Sequence, residues 1–461
     1  MEPFVLERPE HPVSRRDIDP NVLKVLYRLI NANHTAYLVG GGVRDLMVGR
    51  QPKDFDVATS AHPHEIRTLF RNSRLIGRRF RLVHVFFGAK NIEVATFRRR
   101  GEEADAADPM IRHDNTFGTP EEDAFRRDFT VNSLFYDPRS FQVIDFAGGV
   151  RDLRERLIRT IGEPELRMRE DPVRMIRAVR LAAKLDFEIE PMTRAAIESC
   201  ADDLAKASVA RLVEEVYRTL SLSNSARALI LMQRLGLLQS SLPVLSAHLS
   251  GCSGELESTP TVRTLKALGE SLTNGSEPPR GFLLACLFAD LHIAETSQAS
   301  EASGPDICTR LRTRGYSRAD TEQMRLLLDA LTHMLKPSRI TRRIMRRPYF
   351  PLARRLFDLT APILGVDPSE LERFLSTPPG HQPAGSRRRH LPHPAADGAA
   401  TAPSRRSRRR RGHRGGRGRN RLGPRAGDAA AAEASVHPGG ELDDSPATAG
   451  SAPPDDYRRH G

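Results

Sequence analysis

No stretch of the 461-residue sequence approaches the roughly 18 apolar residues of a spanning helix, the longest run being Phe282 to Ala289. The N-terminus lacks a signal-peptide pattern as well. A soluble, cytoplasmic protein is therefore expected, with peripheral contact as the one membrane role left open. Cysteine is scarce: Cys200, Cys252, Cys286 and Cys308 are widely spaced and form no CxxC pair. That spacing suggests neither a zinc site nor a disulfide framework, and the four are expected to be reduced packing residues. Asp290-Leu291-His292 has no further His and Asp at metal spacing, which argues for a helix cap over a phosphohydrolase site. Two nucleotide fingerprints are missing too. Gly-Lys-Ser/Thr does not follow the triplet Gly40-Gly41-Gly42, which excludes a Walker loop, and Asp45 stands where a dinucleotide fingerprint needs its third glycine.

What is present is length and positive charge. A chain of this size has room for two or three domains of roughly 100–200 residues each. The net charge of +13, supplied mostly by Arg, suggests a polyanionic partner, nucleic acid or membrane lipid. From Asn21 to Gly149 short apolar runs alternate with helical patterns: Tyr37-Leu38-Val39, Val83 to Phe87 and Ile92 to Ala95 read as strands, and Pro63 to Phe70 as a helix. A small α/β sheet domain follows over 21–149, behind an N-terminal extension of residues 1–20. A basic turn runs from Gly77 to Arg81, and an acidic stretch from Gly101 to Pro109 reads as a mobile loop.

Beyond Val150 strand patterns vanish, and helical periodicity marks Pro172 to Leu185, Val209 to Leu220, Ala226 to Leu235 and Thr321 to Leu335. Residues 150–210 and 211–375 are thus expected to be all-α. From Ser376 to Gly461 the composition turns to Pro, Gly, Ala and Arg and predicts disorder. Within it, Thr401 to Gly427 holds eleven arginines and no acid, among them Arg405, Arg406, Arg408, Arg409, Arg410 and Arg411, an electrostatic tether for nucleic acid.

The chemistry concentrates between Leu38 and Asp56. Leu38-Val39-Gly40-Gly41-Gly42-Val43-Arg44-Asp45 reads as a strand, a glycine turn and a helix ending near Gly49, a geometry that aims backbone N–H groups at a phosphate. Ten residues on, Asp54 and Asp56 fall two apart, a spacing that on a strand points both carboxylates to one face while Phe55 and Val57 enter the core. Two like charges side by side are costly unless a cation lies between them, and Mg2+ is the natural choice beside substrate phosphates. Glu93, in the apolar strand Ile92 to Ala95, offers a third carboxylate.

These residues resemble the first signature of the nucleotidyltransferase superfamily, in the form shared by bacterial poly(A) polymerases and class II CCA-adding enzymes. Arg126-Arg127-Asp128-Phe129-Thr130-Val131-Asn132 is similar to the family's second motif, and Arg169-Glu170-Asp171-Pro172-Val173-Arg174 to its nucleotide-recognition motif. The resemblance is strong from Ser14 to Leu185 and loose over the later helices. It implies a palm with a small mixed sheet and helices, then a helical neck and body. It also implies Asp128 as the third essential acid, where strand logic points to Glu93, and both stay open. Arg126, Arg127 and Asn132, with Gly40, Gly41, Gly42 and Arg44, are then expected to contact sugar and triphosphate.

Asp171, Arg174 and Arg177 recur every three residues and are expected on one helix face, with Val173, Ile176, Val179 and Ala183 as the buried stripe. Asp171 can accept from an exocyclic amine and Arg174 can donate to a ring nitrogen, which suits adenine and cytosine and rejects guanine and uracil. ATP and CTP are therefore not separated by this pair. Segments Ser14 to Ile18, Leu69 to Asn72 and Leu75 to Val85, together with the Arg-rich end, favour the poly(A) side of the family, with Arg78 and Arg79 as RNA contacts. The expected activity is template-independent addition of adenylates from ATP to RNA 3′ ends, on mRNA and other transcripts, with two Mg2+ ions. RNA-decay machinery is the implied partner class. CCA addition to transfer RNA and a non-catalytic RNA-binding role are the alternatives.

Overall fold

The computed structural model describes residues 2–77, 82–99, 117–272, 277–297 and 306–377. Its first half is built on β1 (Phe4–Leu6), α1 (Pro20–Asn31), β2 (Ala36–Val39), α2 (Gly41–Met47), β3 (Asp56–Thr59), α3 (Pro63–Leu69), β4 (Ser73–Ile76), β5 (Leu82–Phe87), β6 (Lys90–Thr96), α4 (Pro120–Phe125), β7 (Leu134–Tyr136) and β8 (Val143–Asp145). The strands form one mixed sheet in the order β1-β8-β7-β2-β3-β6-β5-β4. Only β3 and β6 run parallel within it.

Helix α1 shows why these segments fold as they do. Asp19 caps it by accepting from Asn21 N–H at 2.8 Å, Pro20 opens it, and Val22, Val25, Leu26 and Leu29 put one apolar stripe into the core. Strand β6 alternates, burying Ile92, Val94 and Thr96 and exposing Glu93. The segment before Asn21, expected as an extension, contributes β1, whose Phe4 pairs with Asp145 on the sheet edge.

The helical part begins with α5 (Gly149–Glu155), α6 (Pro164–Glu170), α7 (Val173–Leu185) and α8 (Pro191–Cys200). Strand structure does not vanish here, contrary to the sequence pattern. The pair β9 (Leu157–Ile158) and β10 (Glu188–Ile189) runs parallel, and two-residue strands are too short to carry a period. Gly149 brings α5 against the palm, because a Cβ there would stand 2.3 Å from the Thr130 carbonyl oxygen.

The body continues through α9 (Val209–Leu220), α10 (Ser225–Arg234), α11 (Leu237–Ser241), α12 (Pro243–Gly251), α13 (Pro260–Ser271), α14 (Arg280–Ser297), α15 (Ile307–Arg312), α16 (Arg318–Leu335), α17 (Arg339–Ile344), α18 (Phe350–Thr360) and α19 (Pro368–Ser376). Helix α14 is its centre: Gly281 to Ala289 is buried without interruption, against α13, α16 and α18. Asp290 and His292 lie inside this helix and not at a cap. No helix among the described residues is long and apolar enough to cross a membrane.

Candidate active site

Strand β2 ends in the glycine turn. Gly40 has φ 72°, a left-handed backbone that a side chain rarely tolerates, and a Cβ there would lie 3.0 Å from Arg127 Nη1. Gly42 serves close approach instead: its Cβ position is 3.1 Å from Phe55 Cδ1 and 3.5 Å from the Asp54 carbonyl oxygen. The turn and α2 therefore lie directly against the chain that carries the paired aspartates. Arg44 is buried in α2, where it donates to Asp45 Oδ1 and Asn132 Oδ1, and Lys184 of α7 closes on Asp45 Oδ2 at 2.8 Å. Arg44 thus ties α2 to the Asn132 turn, and Asp45 ties it to α7.

Asp54 and Asp56 are both exposed, but they do not share a strand. Strand β3 starts at Asp56, and Asp54 belongs to the segment entering it. Phe55 still packs on the core and Val57 is fully buried, as the alternation required. The decisive neighbour is Glu93. Parallel pairing of β3 with β6 sets Asp56 opposite Glu93, and antiparallel pairing of β6 with β5 sets His84 on Glu93's other side, its Nε2 3.4 Å from Glu93 Oε1. Desolvation by the surrounding protein and then the Glu93 charge push the Asp56 carboxyl up to about 6, with Arg127 pulling the other way and Asp54 adding to the rise. Asp56 and Glu93 stand opposite each other across β3 and β6, with Asp54 near enough for its charge to act on Asp56, and carboxylate oxygens of this kind suit a hard divalent cation.

Asp128 occupies a different place. It is buried, pairs with Arg177 at 2.6 Å, and accepts from Phe129 N–H at 2.8 Å and from Asn132 Nδ2 at 3.1 Å. Burial alone would raise its pKa, yet the Arg177 guanidinium and these hydrogen bonds outweigh it and hold the carboxyl below the usual range. Asp128 thereby links the Arg-Arg-Asp segment to α7. The structure brings Glu93, and not Asp128, into register with Asp56.

Arg126 and Arg127 are half-buried and share one anchor, Asp123. Its carboxylate accepts from Arg126 Nε at 2.9 Å and from Arg127 Nη2 at 2.9 Å, while Arg127 Nη1 reaches the Asn132 carbonyl at 3.2 Å. Arg167 holds the same segment from behind, donating to the Arg126 and Arg127 carbonyls at 2.8 and 2.7 Å. Asp171, Arg174 and Arg177 do not lie on one helix. Helix α6 ends at Glu170, and Asp171 is extended (φ −146°, ψ 89°) because Pro172 follows it; only Arg174 and Arg177 are on α7. Val173, Ile176, Val179 and Ala183 are buried as the stripe required. Asp171 is clasped by Arg211 of α9 through Nη1 at 2.9 Å and Nη2 at 2.7 Å, and Arg174 donates to the Arg167 carbonyl at 2.7 Å.

Asp123, Arg167 and Arg211 escape sequence reasoning. Asp123 carried a weak signal, standing three and four residues before the paired arginines. Arg211 carried none, because forty residues separate it from Asp171. Arg78 and Arg79, and Arg405 to Arg411, lie outside the described residues. On the body, the acid-free stretch from Ala330 to Phe357 exposes Arg339, Arg343, Arg346 and Arg347, none of them ion-paired among the described residues. Arginines elsewhere on the body, such as Arg234, Arg280, Arg310 and Arg325, are matched by acids.

Comparison with known proteins follows this architecture. Residues 36–159 match the model of the poly A polymerase head domain, and residues 186–249 match that of a probable RNA and SrmB-binding site of polymerase A. The poly(A) polymerase I of Salmonella typhi is 46% identical over 292 residues, 62% of this chain and 63% of the relative, so less than two thirds of that relative's length is spanned. A CCA-adding enzyme of Bacillus velezensis is 38% identical over 227 residues, 49% of this chain and 56% of the relative. The crystal structure of the Bacillus stearothermophilus CCA-adding enzyme in complex with CTP superposes with a TM-score of 0.58 at 30% identity, covering 78% of this chain and 83% of that one. With palm sheet, glycine turn, paired aspartates and helical body all in place, the chain belongs to the poly(A) polymerase and CCA-adding enzyme family of nucleotidyltransferases.

Proposed function

We propose that this protein is a template-independent poly(A) polymerase, transferring adenylates from ATP to RNA 3′ ends. The observation that carries the reading is the register of Asp56 with Glu93 beside Asp54, set against the turn Gly40 to Gly42. In the transfer, the RNA 3′-oxygen bonds to the α-phosphorus, the bond to pyrophosphate breaks, and the hydroxyl gives up its proton. Asp54, Asp56 and Glu93 would hold two Mg2+ ions. When bound, such ions lower the pKa of the attacking hydroxyl and neutralise the leaving pyrophosphate.

The chain's own residues do the positioning. Arg126 and Arg127, fixed by Asp123, present guanidinium groups to the triphosphate, and Gly41 and Gly42 offer the first free N–H groups of α2. Asn132 and the Asp128–Arg177 pair fix the turn beside them. Asp171 and Arg174 read the base edge. Adenylate is favoured over cytidylate by the closer and longer similarity to a poly(A) polymerase than to a CCA-adding enzyme. RNA would lie on the helical body, where residues 186–249 and the unpaired arginines of 339–347 supply sequence-independent phosphate contacts. The palm would span 21–149, the neck 150–210 and the body 211–375, with the remaining arginine-rich segment as a tether. Transcripts destined for decay in the cytoplasm fit this activity.

The purified full chain, given an unstructured RNA, Mg2+ and one nucleotide at a time, is expected to make long tails with ATP alone. Terminated CCA addition on truncated transfer RNA in their place would overturn the reading.

A pH dependence follows from Asp56. Its raised pKa means that the neutral form is favoured in the fold, so the related stability is present below the unfolded value near 3.8 and lost as pH rises through about 6. Metal binding needs the ionised form and competes with that proton. The apparent Mg2+ affinity is expected to weaken about tenfold per pH unit below 6 and to flatten above it. Activity measured against Mg2+ at several pH values reads this; a flat response from pH 5 to 8 contradicts it.

A further inference from the structure

Helix α14 is buried without a break from Gly281 to Ala289, and one acid ends that run. Asp290 is half-buried directly after Phe288 and Ala289, with the buried Leu291 next to it. A carboxylate in that position is costly unless a cation compensates it. Among the described residues its polar partners are His248 Nε2 at 2.8 Å and Thr261 Oγ1 at 3.5 Å, and neither brings the fixed charge of a lysine or arginine.

A third donor completes the group. Cys252 follows α12 four residues after His248, so the imidazole and the thiol project from one side of the same helix end. His248, Cys252 and Asp290 each offer one ligand atom, and these atoms all lie within 4.8 Å of one another. Tetrahedral zinc with bonds of about 2.0–2.3 Å needs its ligand atoms roughly 3.3–3.7 Å apart, so the ion would open the 2.8 Å His248–Asp290 contact and close the wider separations, shifts that rotation of these half-buried side chains supplies. One nitrogen, one sulfur and one carboxylate oxygen make a borderline-soft set, unlike the all-oxygen set at Asp54 and Asp56.

We propose that His248, Cys252 and Asp290 form a zinc site that staples α12 to α14, with solvent at the fourth position. The site is separate from the nucleotidyl-transfer reading and stands or falls without it. It gives Asp290 a dication in place of a single imidazole hydrogen bond. It also gives Cys252, the one cysteine of the four that is not buried, a function beyond packing.

The test uses the full chain with Asp56→Asn in the background, which removes the competing oxygen site. After chelation and dialysis, Co2+ is titrated and followed by absorption. The expected result is one equivalent bound with a thiolate-to-cobalt charge-transfer band, displaced by stoichiometric Zn2+, and a higher melting temperature in the zinc-loaded protein. Cys252→Ser is expected to remove the band, and His248→Ala to weaken zinc binding at least 100-fold. Because either variant could disturb folding, circular dichroism of both without metal should match the parent. Absence of the band in the parent, or a band that persists in Cys252→Ser, overturns the site.

Discussion

Asp56→Asn is expected to lower kcat/KM for ATP by about a thousandfold or more, since loss of metal-assisted charge stabilisation is worth several kcal/mol at about 1.4 kcal/mol per tenfold. RNA affinity, measured by filter binding, should stay within about twofold because phosphate contacts with lysine and arginine dominate it. The same substitution has a second consequence of opposite sign. The ionised Asp56 is disfavoured by its surroundings and by Glu93, so at pH 8 without Mg2+ the Asn variant should melt higher than the parent. A variant that tails RNA at the parental rate would remove Asp56 from the chemistry.

Glu93→Gln and Asp128→Asn then separate the two candidates for the third acid. Glu93 is half-exposed on β6, so its amide should impair tailing with little change in melting temperature. Asp128→Asn leaves Arg177 facing a neutral partner, and after allowance for the guanidinium's own exposure a loss of about 1–3 kcal/mol in stability is expected. Should Asp128→Asn abolish tailing with unchanged stability while Glu93→Gln stays active, the assignment reverses.

The parts of this site legible in the sequence are those written in short-range patterns. The strand, glycine turn and helix from Ala36 to Met47 were readable because the apolar alternation stops at three glycines and resumes with helical spacing. Glu93 stood out as an acid in an apolar strand, and the stripe Val173, Ile176, Val179 and Ala183 by its period. What the sequence hides is pairing across distance. Nothing local says that β6 lies parallel beside β3, although that register alone brings Glu93 to Asp56. Three-residue spacing also misplaced Asp171 on a helix that Pro172 forbids it to join. Arg211, which clasps it, comes from another helix forty positions later.

That clasp makes Asp171 the residue at which the proposed base reading is most sharply tested. Its carboxylate takes both Arg211 nitrogens and keeps lone pairs free, so an adenine amine can donate to an acceptor that is already fixed in space. Asp171→Ala removes the acceptor and leaves Arg211 without its acid, while Arg174 keeps Glu170. Each charge-assisted hydrogen bond is worth roughly 1.5–3 kcal/mol, so kcat/KM for ATP should fall about 10–100-fold, with most of the discrimination against GTP and UTP lost as well. Arg211→Ala keeps the acceptor and loses only its orientation. KM for ATP should rise by about two- to fivefold, equivalent to one solvent-exposed ion-pair contact, while kcat changes less. Single-nucleotide incorporation with ATP, CTP, GTP and UTP reads both variants. Unaltered preference for ATP in Asp171→Ala would move base recognition elsewhere, whereas equal losses in the two variants would give Arg211 a direct contact with the nucleotide.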